Sequence, residues 1–470
     1  MGRPLLVGDV IRTAAARLPD RTAIALGEES MTFAELYARS LDLAQRLLAA
    51  GVGNGDRVGW RAETSVEAAI VYFAVSHIGA IFLPLNPRYT DRELARVVAH
   101  AEPKLLLGRK TGGGIDLADL PLPAGEALDL PPVHEEDPFL IFYTSGTTGE
   151  PKGCILTHRS ERVRAGLGEP WPSGATLCMF PQFHMAGWSF ALRTWLAGDA
   201  MVYVPRAEAP DLLAAVDRYR ARRLYCIPAI WRRILDHDRS AYDLSSLKHV
   251  DTGTSATSAE LLRQLSEAFP QGQVCVAYGS TEAGLVCMLS PDDLSRKAGS
   301  VGLPAPGADI RLDEEGQMWV RSPSLFAGYF RNEAATRQAL VDGWYATGDL
   351  AERDAEGFYR IVGRAREIIR AGGETVAPVE VDLVLQAHPD LADAAVAGIP
   401  HPEWGEVIVA FAVPRPGRAV DLDALRTYCL QALAPYKAPR RLKIVDAIPR
   451  TGATRQVERR TLAAMLAAED

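Results

Sequence analysis

The chain has 470 residues, 48% of them hydrophobic, with no low-complexity tract, which predicts a soluble globular protein of two or three domains. Its 59 acidic residues exceed its 51 basic ones, and a net charge of −8 argues against a nucleic-acid or anionic-membrane surface while allowing a local basic pocket.

Residues 9–110 alternate helical and strand patterns. Asp9–Leu18 reads as a short amphipathic helix, and Thr32-Phe-Ala-Glu35 opens a second with a capping box that runs through Leu36–Ala50 to Gly51. Arg57–Trp60 and Ile81–Leu83 read as strands, Ser65–Gly79 and Asp91–Ala101 as helices. This rhythm predicts a largely parallel sheet with helices on both faces. The most apolar stretch, Ala68–Leu85, contains His77, Gly79 and Pro84. It reads as a buried helix running into a strand, with no membrane span. Thr111–Pro132 is rich in Gly, Pro and Asp and is expected to be an exposed connection. Strands are then expected at Leu177–Pro181, Ala200–Val204, Arg223–Cys226, His249–Asp251 and Val274–Ala277, with helices at Pro210–Arg220 and Ser258–Phe269. Residues 299–362 read as short strands and glycine turns, a small β-rich subdomain, and a further unit of about 100 residues with its own βαβ-like pattern begins at Gly363. Cys154, Cys178, Cys226, Cys275, Cys287 and Cys429 are scattered, without a C-x-x-C pair. Together with the absence of a charged-then-apolar leader they predict reduced, buried thiols in a cytoplasmic protein.

The segment Tyr143-Thr-Ser-Gly-Thr-Thr-Gly-Glu-Pro-Lys-Gly153 follows the apolar run Pro138–Phe142 and precedes Cys154-Ile-Leu156. Its glycines let backbone N–H groups approach an anion, its hydroxyls add donors and Lys152 adds charge, so the segment reads as a phosphate loop. It is no Walker loop, because the lysine lies three residues beyond the last glycine and no Ser/Thr follows it. Tyr278-Gly-Ser-Thr-Glu282 pairs a flat aromatic able to stack on a purine with Thr281 for a phosphate oxygen and Glu282 for Mg²⁺ through water. Alone it reads equally well as a capped Tyr-Gly turn. In the same way Tyr345-Ala-Thr-Gly-Asp349 is a surface turn, or a carboxylate accepting from two ribose hydroxyls. His184 in Phe183-His-Met-Ala-Gly187 reads equally as a core histidine or a ligand.

Taken together and in this order, the motifs resemble those of the acyl-adenylate-forming superfamily, which includes acyl-CoA synthetases, luciferases and the adenylation domains of peptide synthetases. The resemblance covers nearly the whole chain. It implies an α/β fold: a large N-terminal adenylation domain (residues 1–363) of mixed and parallel sheets with flanking helices and a β-rich subdomain, a hinge at 364–366, and a small mobile α+β C-terminal lid domain (367–470). It implies ATP and Mg²⁺ as cofactors, with nucleotide contacts from Thr144, Ser145, Gly146, Thr147, Thr148, Gly149, Lys152, Gly253, Thr254, Ser255, Tyr278, Gly279, Ser280, Thr281, Asp349 and Arg364, and Thr144 and Glu282 at the metal. His184, Trp188, Gly253, Tyr278 and Gly279 would line the acid pocket, whose aromatic walls hint at an aryl or medium-sized acid. Gly372, Gly373 and Glu374 would form the face presented to a thiol, with Arg366 as pivot.

The chain also departs from the family pattern. Thr254 and Ser255 are polar replacements in the Gly-Ala-Ala-Pro-like turn, Arg366 stands where Lys or Asp is usual, and Thr375 and Ala377 replace Asn and Tyr. Relatives end in Pro-Arg-Thr-x-Thr-Gly-Lys, whose lysine contacts the carboxylate and α-phosphate. Here Pro449-Arg-Thr-Gly-Ala-Thr-Arg-Gln456 puts Arg455 or Gln456 at that position, depending on register. Losing a cation aimed at developing charge typically costs on the order of 10²–10³ in rate, and a planar arginine fork is no equivalent of an ammonium at a tight site.

The expected activity is therefore AMP-forming ligation. ATP adenylates an organic acid, pyrophosphate leaves, and a thiol, most simply CoA, takes the acyl group, with Lys152, Thr281, Glu282 and Arg455 or Gln456 as the catalytic set. A second reading keeps adenylation but activates an unusual oxyacid such as nitrite for transfer to an amine, as in ATP-dependent diazotases, or loads a carrier-protein thiol. A third is a nucleotide-binding protein without turnover.

Overall fold

The computed structural model describes residues 4–108, 114–122, 129–144, 152–166, 174–365, 367–371, 374–401, 404–451 and 455–467, with side chains for all of these except Thr144 and Ala467. Among the described residues the chain forms four sheets. The largest has nine strands. A parallel centre (His249–Gly253, Arg223–Tyr225, Thr176–Cys178, Met201–Tyr203) is flanked on one side by Gln273–Ser280, also parallel, then the antiparallel Gly284–Leu289 and Leu303–Pro304. On the other side lies the hairpin Thr22–Leu26/Glu29–Thr32. The second sheet has six strands in the order Gly328–Tyr329, Lys152–Thr157, Pro138–Thr144, Ile81–Leu85, Arg57–Arg61 and Leu105–Gly108, the last four parallel. Parallel strands are buried on both faces, and the helix Glu67–His77 between two of them has nine buried residues out of eleven. The amphipathic helix Phe33–Ala49 packs on it and carries the expected Thr32/Glu35 capping box.

Residues 309–364 form an antiparallel five-stranded sheet in which Trp344–Arg353 pairs with Tyr359–Arg364. The last sheet, Glu374–Val376, Ile369–Ala371, Gly405–Pro414 and Leu391–His401 with Arg441–Ile444 added in parallel, is covered on both faces. Its period-2 alternation sends Ala394, Val396, Ile408 and Ala410 to a core with Val381, Leu385 and Leu425, and Ala395, Ala397, Val409 and Phe411 to a core with Leu462 and Leu466. The main hydrophobic core ends at Tyr359 and these two begin at Ile369, so apolar packing is interrupted where the sequence pattern changes. A cavity of ≈ 360 Å³ lies between Thr257–Ala259 with Gly299 on one side and Leu383, Ala387 and Tyr428 on the other. No helix among the described residues is long and apolar enough to cross a membrane, and all six cysteines are free and buried.

The hairpin at 22–32 and the strand Leu105–Gly108 were not expected from the sequence. Thr22-Ala-Ile-Ala-Leu26 has two alanines in five residues and its partner strand is mostly polar, so neither carries a strong strand pattern.

Candidate active site

Tyr225, Gly253 and Tyr278 stand at or near the C-terminal ends of adjacent parallel strands, and the segment leading to His184 follows the neighbouring strand Thr176–Cys178. That edge is where open α/β sheets place their ligand crevices. The approach of the strands is tight. A Cβ on Gly253 would meet the Ala277 carbonyl oxygen at 2.1 Å and the Tyr225 hydroxyl at 2.6 Å. Thr254 follows at φ +69°, a left-handed conformation that a β-branched residue rarely adopts. Its Oγ1 lies 3.2 Å from the Tyr225 hydroxyl, and Ser255 beside it is exposed.

Asp349 lies within the strand Trp344–Arg353, not in a surface turn, and is buried at 8% exposure. The Tyr278 hydroxyl donates to its Oδ2 at 2.5 Å, and Arg364 Nε lies 3.1 Å from Oδ1, the two residues facing each other across the strand pair. Burial and then the Asp349 charge push the Tyr278 phenol well above its ordinary pKa, so it stays a donor. A carboxylate, a phenol and a guanidinium thus meet at one point, although Tyr278 and Asp349 are 71 residues apart.

A second cluster forms where Lys152–Thr157 pairs with Gly328–Tyr329. The Tyr329 hydroxyl donates to Glu282 Oε1 at 3.0 Å, and Lys152 Nζ sits 5.3 Å from the centre of the Tyr329 ring. Glu282 lies in the turn after Gln273–Ser280, with Thr281 beside it. The Ser280 hydroxyl accepts from the Ala283 amide, and the Glu282 carbonyl accepts from the Phe326 amide. Gly279 is needed by the protein itself: a Cβ there would meet the Gly284 carbonyl oxygen at 2.1 Å.

The segment before the helix Arg459–Ala467 reaches this region. Thr451 and Gln456 close a hairpin: Thr451 N donates to Gln456 O, Gln456 N donates to Thr451 Oγ1, and Arg450, held by Asp393 at 2.8 Å, donates to the Arg455 carbonyl at 3.0 Å. From it Gln456 Nε2 extends to the Thr254 carbonyl at 3.4 Å. Of the two registers, Gln456 is the residue seen at the sheet edge. Arg455, the residue before it, has φ +55°.

One expectation for the acid pocket changes. Trp188 is fully buried, stacked on Tyr72 at 4.4 Å with its indole N–H donating to the Gln182 carbonyl, so it belongs to the core and offers no face to an acid. His184 stacks on Phe180 at 4.8 Å and caps the helix Met185–Leu196, its Nδ1 accepting from the Ala186 amide at 3.2 Å. Burial lowers its pKa to about 4, which keeps it neutral with Nε2 as its donor. Glu374 is exposed on a short strand. Ser145, Gly146, Thr147, Thr148, Gly149, Arg366, Gly372 and Gly373 lie outside the described residues, as does the Thr144 side chain. Sequence reading missed Tyr225 and Tyr329. Only Tyr225 carried a signal, its place at the end of a parallel strand beside Gly253.

Among the described residues no group of three His, Cys, Asp or Glu side chains could hold a metal. A divalent cation at Glu282 would have that carboxylate and otherwise phosphate oxygens and water, a set that suits Mg²⁺.

Comparison with known proteins matches residues 11–330 to the AMP-binding enzyme family and 380–455 to the AMP-binding enzyme C-terminal domain. The feruloyl-CoA synthase of an Amycolatopsis species is 34% identical over 474 residues, covering 92% of this chain and 94% of that protein. Among solved structures, o-succinylbenzoate CoA synthetase (MenE) from Bacillus subtilis, in complex with the acyl-adenylate intermediate OSB-AMP, is 27% identical with a TM-score of 0.88, covering 98% of both chains. The amide bond synthetase McbA from Marinactinospora thermotolerans is 25% identical with the same TM-score, covering 98% of this chain and 99% of its own.

Proposed function

The chain belongs to the AMP-binding enzyme family, and from that premise we propose that it is an AMP-forming acid–thiol ligase acting on an aryl or medium-sized organic acid, with CoA as the simplest acceptor. The observation that carries this reading is the convergence of Lys152 and Glu282 on Tyr329. It brings the strand leaving the phosphate loop and the Thr281–Glu282 turn to one place, as displacement at a triphosphate requires.

In the first half-reaction a carboxylate oxygen of the acid bonds to the α-phosphorus of ATP, the bond to the β-phosphate bridge breaks, and pyrophosphate leaves with its electron pair. Asp349 holds the ribose hydroxyls, oriented by Arg364 and Tyr278. Lys152 and the hydroxyls of 144–148 offset the charge on the leaving phosphates, and Glu282, oriented by Tyr329, would hold Mg²⁺, whose positive charge would offset that of the phosphates. Thr281 donates to a phosphate oxygen. Positioning and charge stabilisation account for the rate. Gln456 closes the site over Thr254 with a neutral amide where relatives carry lysine. In the second half-reaction residues 367–470 turn about Arg366 and bring Gly372, Gly373 and Glu374 to the adenylate. The thiol sulfur bonds to the acyl carbon, AMP departs, and the thiol proton passes to solvent.

An amine acceptor is the second reading, favoured by Gln456 in the lysine position and by the overall similarity to an amide bond synthetase. A panel of aryl acids, medium-chain acids and nitrite, scored by pyrophosphate release with CoA, with an amine or with neither, tests both. Acid-dependent release that falls by orders of magnitude in Lys152→Ala and Glu282→Gln supports adenylation. Unchanged release in both variants refutes it. CoA-thioester formation disposes of the amine reading.

A further inference from the structure

Beneath the Thr281–Glu282 turn lies an ion pair that the mechanism above does not use. Glu161, on the helix His158–Gly166, is 1% exposed, and neither carboxylate oxygen accepts a hydrogen bond from a described residue. Its nearest cation is Arg164, one turn along the same helix, with Nη1 at 3.7 Å and a side chain 5% exposed. The rest of the Arg164 guanidinium is fully committed to the turn. Nη2 donates to the Glu282 carbonyl at 3.1 Å, and Nε donates to the Ser324 carbonyl at 2.8 Å, while the Ser324 hydroxyl donates to the Ala283 carbonyl at 2.9 Å. Gly284, at φ +72°, leaves room for this. A Cβ there would press on Arg164 Nε, Arg164 Cγ and Ser324 Oγ at 3.2–3.3 Å.

An isolated carboxylate has no reason to be buried without hydrogen bonds, because desolvation disfavours it strongly. Its one evident partner is the guanidinium that grips the turn. We propose that the buried Glu161–Arg164 pair is a positioning device: Glu161 fixes the orientation of Arg164, and Arg164 holds the backbone of the Thr281–Glu282 turn so that Glu282 faces the metal-bound triphosphate. This rests on the adenylation reading above. Glu161 faces Arg164 on its own helix, the Tyr72 phenol from Glu67–His77 and the Cys154 thiol from Lys152–Thr157, while Arg193 from Met185–Leu196 donates to the Ala165 carbonyl of the same helix. Burial moves the Glu161 carboxyl up to about 7, with Arg164 opposing, so Glu161 changes charge in the neutral range.

The test uses the full-length protein as Glu161→Gln, Arg164→Met, Arg164→Lys and the double variant Glu161→Gln/Arg164→Met. Three readings are taken: pyrophosphate release against Mg²⁺ and pH, melting temperature, and amide hydrogen exchange at 281–284 without nucleotide. Misplacing a reacting group by about 1 Å costs roughly 10²-fold. Glu161→Gln is therefore expected to lower kcat by about 10- to 100-fold, raise the Mg²⁺ needed for half activation, remove the neutral limb of the pH profile and speed exchange at 281–284, with the KM for the acid unchanged. Arg164→Lys, which keeps the charge, recovers part of the loss, and the double variant is no worse than Arg164→Met alone. Normal Mg²⁺ dependence and exchange in Glu161→Gln, or losses that multiply in the double variant, overturn the inference while adenylation stands. A wild-type protein that releases no pyrophosphate with any acid overturns the adenylation reading, and the pair's role with it.

Discussion

Replacing Gln456 by alanine is expected to slow adenylation by only about 2- to 12-fold, because the lost contact is one neutral hydrogen bond worth ~0.5–1.5 kcal/mol. The geometry sets this scale: the Gln456 amide donates to the Thr254 carbonyl at 3.4 Å, longer than the usual range, and carries no formal charge. Arg455→Ala is expected to change the rate less than twofold by the same scale. Its backbone is held in the hairpin by Thr451 and Arg450, and it is the next residue that faces the sheet edge. Gln456→Lys restores the cation found in relatives and is expected to raise the rate, by up to about 10²-fold. Single-turnover formation of the acyl-adenylate, with the acid that gives the highest pyrophosphate release, separates this step from transfer to the acceptor. A larger loss in Arg455→Ala than in Gln456→Ala, or no gain in Gln456→Lys, refutes the assignment of Gln456 to the lysine position.

Asp349→Asn leaves Arg364 and the Tyr278 phenol with a neutral partner and is expected to weaken ATP binding by about 10- to 100-fold, the scale of one charged hydrogen bond, as read by calorimetry with ATP and Mg²⁺. Glu161 makes stability depend on pH in a definite direction. Its carboxyl rises from 4.5 in the open chain to about 7 when buried, so its contribution is complete below pH 4.5 and is lost as pH rises through 7. The loss amounts to about 3 kcal/mol. Urea melts at pH 5 and pH 8 should show the wild type losing about 2.5 kcal/mol of this relative to Glu161→Gln, and parallel curves would contradict the burial argument. Gly279→Ala places a methyl against the Gly284 carbonyl and is expected to lower the melting temperature as well as activity. Lost activity at full stability would point instead to ligand contact at Gly279.

Local patterns carried the main architecture. The capping box at Thr32, the helix Asp91–Ala101 and the parallel strands from 176 to 280 all follow from periodicity and end signals. The elements that were not legible are those whose identity depends on partners. The alanine-rich strand Thr22–Leu26 is a strand because Met201–Tyr203 and Glu29–Thr32 pair with it. The site divides in the same way. Motif spacing pointed to Asp349 and Glu282, but Tyr329 reaches Glu282 across 47 residues and Arg164 across 118, and no local pattern encodes such contacts. Two residues read as ligand contacts have internal reasons. Trp188 fills the core against Tyr72, and Gly279 lets two strands close.

The central claim is that Lys152, Glu282 and Asp349 hold one nucleotide. A crystal structure with ATP, Mg²⁺ and a non-reactive acid analogue tests it most directly. The account predicts ribose hydroxyls within hydrogen-bonding distance of Asp349 and the triphosphate between Lys152 and Glu282. A nucleotide bound elsewhere, with those three side chains untouched, would contradict it.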